Sequence, residues 1–457
     1  MKGEMKMKTK IAFVLSAFTA VTLFAKPTFN TPAVSFNEST CLLTVRYTVS
    51  EPAVVIAHVT TNGVPLKETE VNRMVGDVNR AVVDASVEHA FYWQLAREFA
   101  DAQFDASAIK VDLVAYAYDL PPDYMVIDFS RKNDVRYYET AEDVPGGLGR
   151  DGSDINRLDR YVMRRIPAKD VQFRMGFTES RKTFYNCNGG AAGVTADNTA
   201  HYVTLRKDFY IGVYPMTVGH WNHIWTSNGS MKNVNEMTNA EGKARRIKDN
   251  PICPMEGMSY KALRGTIDAD KIDWPNTGND VAASSYLGQL RARTGVLLDL
   301  PTEAQWEFAM RAGSSGELPD NQDFTQPGNK GGVPENNYGF TKQSVGTYYG
   351  ESTAYPLGPV GYFTPNAFGV YDMIGNVGNW CIDRWEPHNE NYTDNDNDPV
   401  GPDSGTTSRV WRGGPSYWNC CWCCLSIRRG RSYDSSVNEC GVRLWAPADV
   451  TKHMNQK

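Results

Sequence analysis

Four cysteines within five residues, Cys420, Cys421, Cys423 and Cys424 in the run CCWCC, are the densest reactive group in the chain. Two thiolates converging on one soft ion suit Cu(I), which favours sulfur and low coordination, and a metal-bound thiolate can activate dioxygen for side-chain oxidation. In an oxidising compartment the same sulfurs would form disulfides, with Cys253, Cys381 or Cys440 as partners. Spacing alone does not choose between the two. Cys41 and Cys187 bring the total to nine. An odd number leaves at least one cysteine without an internal partner.

The run YDMIGNVGNW, from Tyr371 to Trp380, offers oxygen instead of sulfur. A hard cation takes several oxygens at about 2.4 Å, and a loop with one carboxylate, inward carbonyls and a side-chain amide can supply them. The same residues also fit a tight loop held by Asn376 and backbone hydrogen bonds. In DNDNDP, Asp394, Asp396 and Asp398 alternate like the start of a calcium loop. The required glycine is missing and Gly405 stands where a bidentate glutamate belongs, so the segment reads as a solvated acidic loop. His220 and His223, three apart on a helical segment, have no third ligand near them in sequence and read as packing or surface residues. GGLGRDG, with Gly146, Gly147, Gly149 and Gly152, has no strong strand before it and no helix after it, and reads as a flexible connector, not a phosphate cradle. No G-x-S-x-G, Walker or dinucleotide fingerprint occurs.

The elements that must position these groups fall into two bodies, the natural division of 457 residues. Residues 1–25 read as a secretory signal peptide: lysines at 2, 6, 8 and 10, then IAFVLSAFTAVTLFA, too short to span a bilayer. The chain is therefore expected to be secreted, periplasmic or cell-surface, with no membrane span after cleavage. Residues 27–130 alternate short β-prone runs with turns such as Asn62-Gly63 and predict a small β-sandwich, with a helix as the alternative for FYWQLAREFADA. Residues 131–160, rich in Gly, Asp and Asn, read as a linker, and 448–457 as a tail. From Tyr161 to about 447 the composition turns to Trp, Tyr, Gly and Pro. Two helices are predicted there: AASSYLGQLRART ending at Gly295, and TEAQWEFAMRA opening on a Thr302/Gln305 capping box and closing at Gly313. Absence of βαβ alternation leaves an irregular α+β domain. A net charge of -6 with interspersed signs argues against nucleic acid as a partner. Trp411, Trp418, Trp422 and Trp445 read as core.

Five segments, in order, resemble the landmarks of the sulfatase-modifying-factor family, the family of formylglycine-generating enzymes. They are RRIPAKDVQFRMG (164–176), FYIGVYPMTVGHWNHIW (209–225), TGVLLDLPTEAQWEFAMRAG (294–313), NAFGVYDMIGNVGNW (366–380), and RVWRGGPSYW with the later GVRLW (409–445). The resemblance implies a C-type-lectin-like fold with little regular secondary structure. It also implies copper at Cys420 and Cys424, with Ser416 beside the catalytic site. Cys420 and Cys424 are separated by three residues, one fewer than in the family's catalytic spacing. Calcium ligands would be Asp372, the carbonyls of Gly375 and Val377, and Asn379, where the family carries a glutamate. Gly378 replaces a frequent tryptophan. Two functions stay open: a copper-dependent oxidase converting a cysteine of a protein or peptide substrate to formylglycine, or a non-catalytic extracellular module binding protein or glycan.

Overall fold

The computed structural model describes residues 27–69, 73–100, 102–177, 200–224, 250–265, 281–319, 339, 357–386, 396–402, 406–416, 418, 423–436 and 439–454. Its regular structure is mostly short strands, with a few helices of four to nine residues.

In the N-terminal body, LLTVRY (Leu42–Tyr47) turns Leu43, Val45 and Tyr47 inward, and HAFYWQ (His89–Gln94) does the same with Phe91 and Trp93. The two strands pair antiparallel with Leu43 opposite Trp93 and Val45 opposite Phe91, so both apolar sets share one face. Ala33–Asn37 and Val75–Gly76 complete that sheet. A second sheet is built on Ala53–Thr61, which pairs with Val64–Leu66, Arg80–Val82 and Ile109–Tyr116. Asn62 and Gly63 both have positive φ, at 50° and 77°, the geometry of a two-residue hairpin turn. Both readings of FYWQLAREFADA hold in part, since the strand ends at Gln94 and a one-turn helix, Leu95–Glu98, follows.

The run AVVIAHV lacks polar alternation because both of its faces are covered. Val55, Ala57 and Val59 pack inside the N-terminal body. Val54 and Ile56 face the other way and join the core of the C-terminal body with Met125, Ile127 and Tyr137.

Two boundaries differ from the sequence reading. YMVIDF was expected among the N-terminal strands, yet Tyr124–Asp128 pairs with Arg160–Ile166 and belongs to the C-terminal body. Residues 131–160, expected as a linker, contain the strand Val135–Tyr138 at the edge of the same sheet. That five-stranded antiparallel sheet runs Val135–Tyr138, Tyr124–Asp128, Arg160–Ile166, Phe209–Gly212, Trp445–Pro447. The last pairing, Ile211 opposite Trp445, ties the end of the domain to its beginning.

A four-stranded sheet, Arg428–Ser432, Ser408–Arg412, Gly378–Arg384, Cys440–Gly441, carries the candidate chemistry. All seven residues of Gly378–Arg384 are buried. Packed on it is the helix Glu303–Arg311, and both it and Tyr286–Thr294 start and stop where their capping residues dictate. Ser285 caps Tyr286–Thr294, which ends at left-handed Gly295, and Thr302 with Gln305 forms the capping box of Glu303–Arg311. The second helix turns left-handed one residue earlier than expected, at Ala312, before Gly313. Among the described residues no helix is long and apolar enough to cross a membrane.

Candidate functional site

Two motifs far apart in sequence are hydrogen-bonded to each other. Ser408–Arg412 runs into Gly413 and Gly414, both with positive φ, and the turn brings Ser416 over the loop 372–379. The Gly375 N–H donates to Gly413 O at 2.7 Å and the Ser416 N–H to Asn376 O at 3.0 Å. Asn376, at φ 56°, binds the backbone of Gly358 through both ends of its amide, each at 3.1 Å. The loop is thus organised by Asn376, one of the two readings its sequence allows.

Cys420 lies outside the described residues, as do Cys187 and Cys421. Cys424 is described and fully buried, packed in the main core with Leu425, Ile427 and Trp411. Arg311 lies close enough to interact with it electrostatically. Cys423 packs against the turn, its thiol 3.8 Å from Pro415 O, and a Cβ on Gly414 would collide with its sulfur. Ser416 is fully buried too. A copper site that oxidises a substrate thiol needs sulfurs the substrate can reach. Cys424 and Ser416 as placed do not meet that requirement.

The disulfides expected at Cys253, Cys381 and Cys440 are not formed; all three are buried thiols, and Cys41 is a thiol as well. Burial pushes the Cys253 thiol up to about 12 and those of Cys381 and Cys440 well above their ordinary value. Each is packed in an apolar cluster with no second sulfur bonded to it.

The calcium set divides. Asp372 is buried in a left-handed conformation; its Oδ2 accepts from Gly361 N at 2.6 Å and its Oδ1 has no hydrogen-bond partner. Burial raises its pKa to about 6, against the pull of Arg443 and Arg157. Asn379 is already committed, because its Oδ1 accepts from Trp306 Nε1 at 3.0 Å and from Arg443 Nε at 3.2 Å. Both partners are donor-only groups and fix which end of the amide faces them. The amide nitrogen then faces Val377 O, at 3.5 Å, so two of the four expected ligands are turned toward each other. Arg443 also donates to the carbonyls of Tyr371 and Asp372 and to those of Gly212 and Val213. The buried guanidinium takes the carbonyls of Tyr371 and Asp372, and Asn379, its oxygen already shared by two donors, does not fit a calcium ligand. Among the described residues no three His, Cys, Asp or Glu side chains gather as a metal cluster.

Sequence reasoning missed the charged network beneath the site. Glu303 binds Arg428 and Arg412, and Glu307 binds Arg412 and Arg311, with every one of these side chains at most 8% exposed. The arginines hold both carboxyls below their ordinary value against strong desolvation. One sign was available: two glutamates four apart share their helix with Trp306, Phe308 and Met310, and every residue of it is buried. The remaining candidates are structural. His220 is buried, with Nδ1 accepting from Thr217 N and Nε2 donating to Arg160 O at 2.9 Å. His223 pairs with Asp159. Gly149 and Gly152 turn carbonyls onto buried Arg157, so GGLGRDG is a pinned loop and neither a slack connector nor an anion cradle. Asp396 and Asn397 pair with Val203 and Thr204 as a short parallel bridge, and Asp398 accepts from Arg206 N; Asp394 lies outside the described residues.

A core-buried closing turn locked to a glycine-asparagine loop, on a sheet backed by a capped Glu-rich helix, fits one known class. The chain belongs to the family of the sulfatase-modifying factor enzyme 1-like domain, whose model matches residues 169–447, more than half of its length. It is 31% identical to the formylglycine-generating enzyme of Thermomonospora curvata over 154 residues, 32% of this chain and 48% of that enzyme. The chain thus spans about half the length of that relative. It is 28% identical to the chaperone protein LppX of Paenibacillus barcinonensis over 253 residues, 49% of this chain and 78% of that protein. Among solved structures, PvdO from Pseudomonas aeruginosa is 21% identical with a TM-score of 0.45, over 66% of this chain and 98% of that one.

Proposed function

We propose that this chain is an exported, non-catalytic recognition module that binds a protein segment. The observation that carries this reading is the burial of Cys424, the position the family resemblance assigns to a copper thiolate, together with that of Ser416. A substrate cysteine cannot approach a sulfur closed inside an apolar core. The commitment of Asn379 to Trp306 and Arg443 supports the same reading, since a further family metal site has lost its side-chain ligand. So does the longer alignment, which is to a relative named as a chaperone.

A second reading, the copper oxidase acting on a peptide cysteine, is favoured by one contact. Arg311 lies close enough to Cys424 to interact with it electrostatically, and a cation beside a thiol favours the form that binds Cu(I). One experiment separates them. The full chain is titrated with Cu(I) and then incubated aerobically with a cysteine-containing peptide, followed by mass spectrometry. The recognition reading expects no stoichiometric copper and an unchanged peptide mass. Conversion of the peptide cysteine to an aldehyde, lost in Cys424→Ala, would overturn it.

A further inference from the structure

Away from the cysteine-bearing turn, the same sheet holds an unexplained pair of charges. Arg384, at the end of Gly378–Arg384, and Arg409, in Ser408–Arg412, are register partners on neighbouring antiparallel strands. Side chains of directly opposed residues leave a sheet on one face and lie side by side. Here that juxtaposes two guanidiniums, at 3% and 1% exposure.

Neither has a carboxylate partner among the described residues. Arg384 spends one nitrogen on Thr406 O, at 3.1 Å, and leaves Nε and Nη2 without a partner. In Arg409, Nε and Nη1 are without a partner. Its guanidinium lies over the ring of Tyr260, 5.0 Å from the centroid. Asp299, which joins Arg264 beside Tyr260, is already used: it binds Arg264 through both oxygens, at 2.8 Å each, and Arg291 at 2.9 Å. Glu303 and Glu307, at the other end of the sheet, are consumed by Arg412, Arg428 and Arg311.

A guanidinium cannot shed its proton inside a protein, so burial cannot be relieved by neutralisation as it is for lysine or histidine. Like charges opposite each other across a ladder repel, and an unpaired buried charge is among the costliest things a fold can carry. Desolvation lowers the pKa of Arg409, and Arg384 and Arg264 push it the same way, against the pull of the Tyr260 hydroxyl. Elsewhere in this domain each buried arginine of the Glu303–Glu307 network is answered by a carboxylate. Arg443, equally buried without a carboxylate, fills its N–H groups with carbonyls and the Asn379 amide; Arg384 and Arg409 each keep two nitrogens with no acceptor, which points to a counter-charge that the described side chains do not supply.

We propose that Arg384 and Arg409 form a binding site for a compact oxyanion, closed on one side by Tyr260. Four N–H groups on two planar forks match the oxygens of a sulfate, a phosphate or a carboxylate, the geometry for which arginine is suited. The ligand has two sources, a free inorganic oxyanion or the carboxylate of a bound peptide. This inference does not depend on whether the cysteine-bearing turn is catalytic.

The test uses the full chain. Sulfate and, separately, acetate are titrated against wild type, Arg384→Met and Arg409→Met at constant ionic strength. Calorimetry and thermal unfolding are read at concentrations too low for general salting-out, which sulfate otherwise causes. Expected is saturable binding that raises the wild-type Tm and is at least tenfold weaker in either variant. A sulfate response identifies a free oxyanion and a response to acetate alone identifies a carboxylate. Because each variant deletes an uncompensated buried charge, both are expected to be at least as stable as wild type in anion-poor buffer. Two results would overturn the proposal: no saturable binding of either anion to wild type, or variants that lose stability or fail to fold in anion-poor buffer. The second would mean that a carboxylate of the chain itself completes the pair.

Discussion

Arg443 donates its Nε–H to Oδ1 of Asn379 at 3.2 Å, deep in the C-terminal body. The bond joins the penultimate strand region to the glycine-asparagine loop and decides what the loop can hold. With the Trp306 indole on the same oxygen, the Asn379 amide is saturated on its acceptor side.

Asn379→Ala is therefore expected to leave two buried donors, one of them charged, without an acceptor, at a cost of about 3 kcal/mol. Denaturant unfolding would measure it. In parallel, the wild-type Tm is expected to be the same in calcium and in EDTA. A calcium-dependent rise in Tm that disappears in Asn379→Ala would show the amide to be a ligand after all.

How far this was legible depends on the range of each interaction. The caps at Ser285, Thr302 and Gly295 act within four residues, and their side chains name the helix ends outright. Asn376 as loop organiser was one of two readings open for its segment, because the turn it makes is local too. The strand Tyr124–Asp128 was misplaced because nothing in YMVIDF names its partner, Arg160–Ile166, some thirty residues on. Its unbroken apolar run resembles the buried opening of Ala53–Thr61 in the other body. The guanidinium of Arg443, which contacts residues 64 to 231 positions away, was invisible for the same reason.

The buried histidines give a pH dependence whose sign can be worked out. Burial lowers His220 to about 3 and His453 to about 4, against about 6.5 in an unfolded chain. Below pH 6.5 the unfolded state takes up a proton at each while the native state does not. Each therefore contributes stability that is complete above pH 6.5 and lost as pH falls toward its folded pKa. Asp372, raised to about 6, works in the opposite direction between about pH 4 and 6, so the total slope is not diagnostic. The difference is: replacing His220→Gln should reduce the slope of stability against pH, between 6 and 5, by about 1.4 kcal/mol per pH unit. Parallel wild-type and variant curves in urea would contradict a buried neutral His220.

Thiol reactivity checks the cysteine placement. Cys41 is partly exposed, whereas Cys253, Cys381 and Cys440 are at most 2% exposed with thiols held protonated by burial. Under native conditions a maleimide should label Cys41 well before those three, with peptide mapping to assign sites. On unfolding without reductant all three should label. Failure of any of them to react with the unfolded chain would reveal a disulfide.

Gly378, where the family resemblance leads one to expect a tryptophan, is fixed by its neighbour. Its φ lies outside the left-handed region, so backbone freedom does not explain the glycine; a Cβ there would fall on the six-membered ring of Trp411 and come within 3.0 Å of Glu439 O. Trp411 is 1% exposed and packs against Trp418, with ring centroids 5.3 Å apart, so it has little room to yield. Gly378→Ala is expected to cost about 2 kcal/mol through overpacking. The cost should shrink in a Trp411→Leu background, because the two side chains compete for one space and their effects cannot add. An equal penalty in both backgrounds, measured by urea unfolding of all four chains of the cycle, would place the constraint in the backbone at Glu439 and not in the indole.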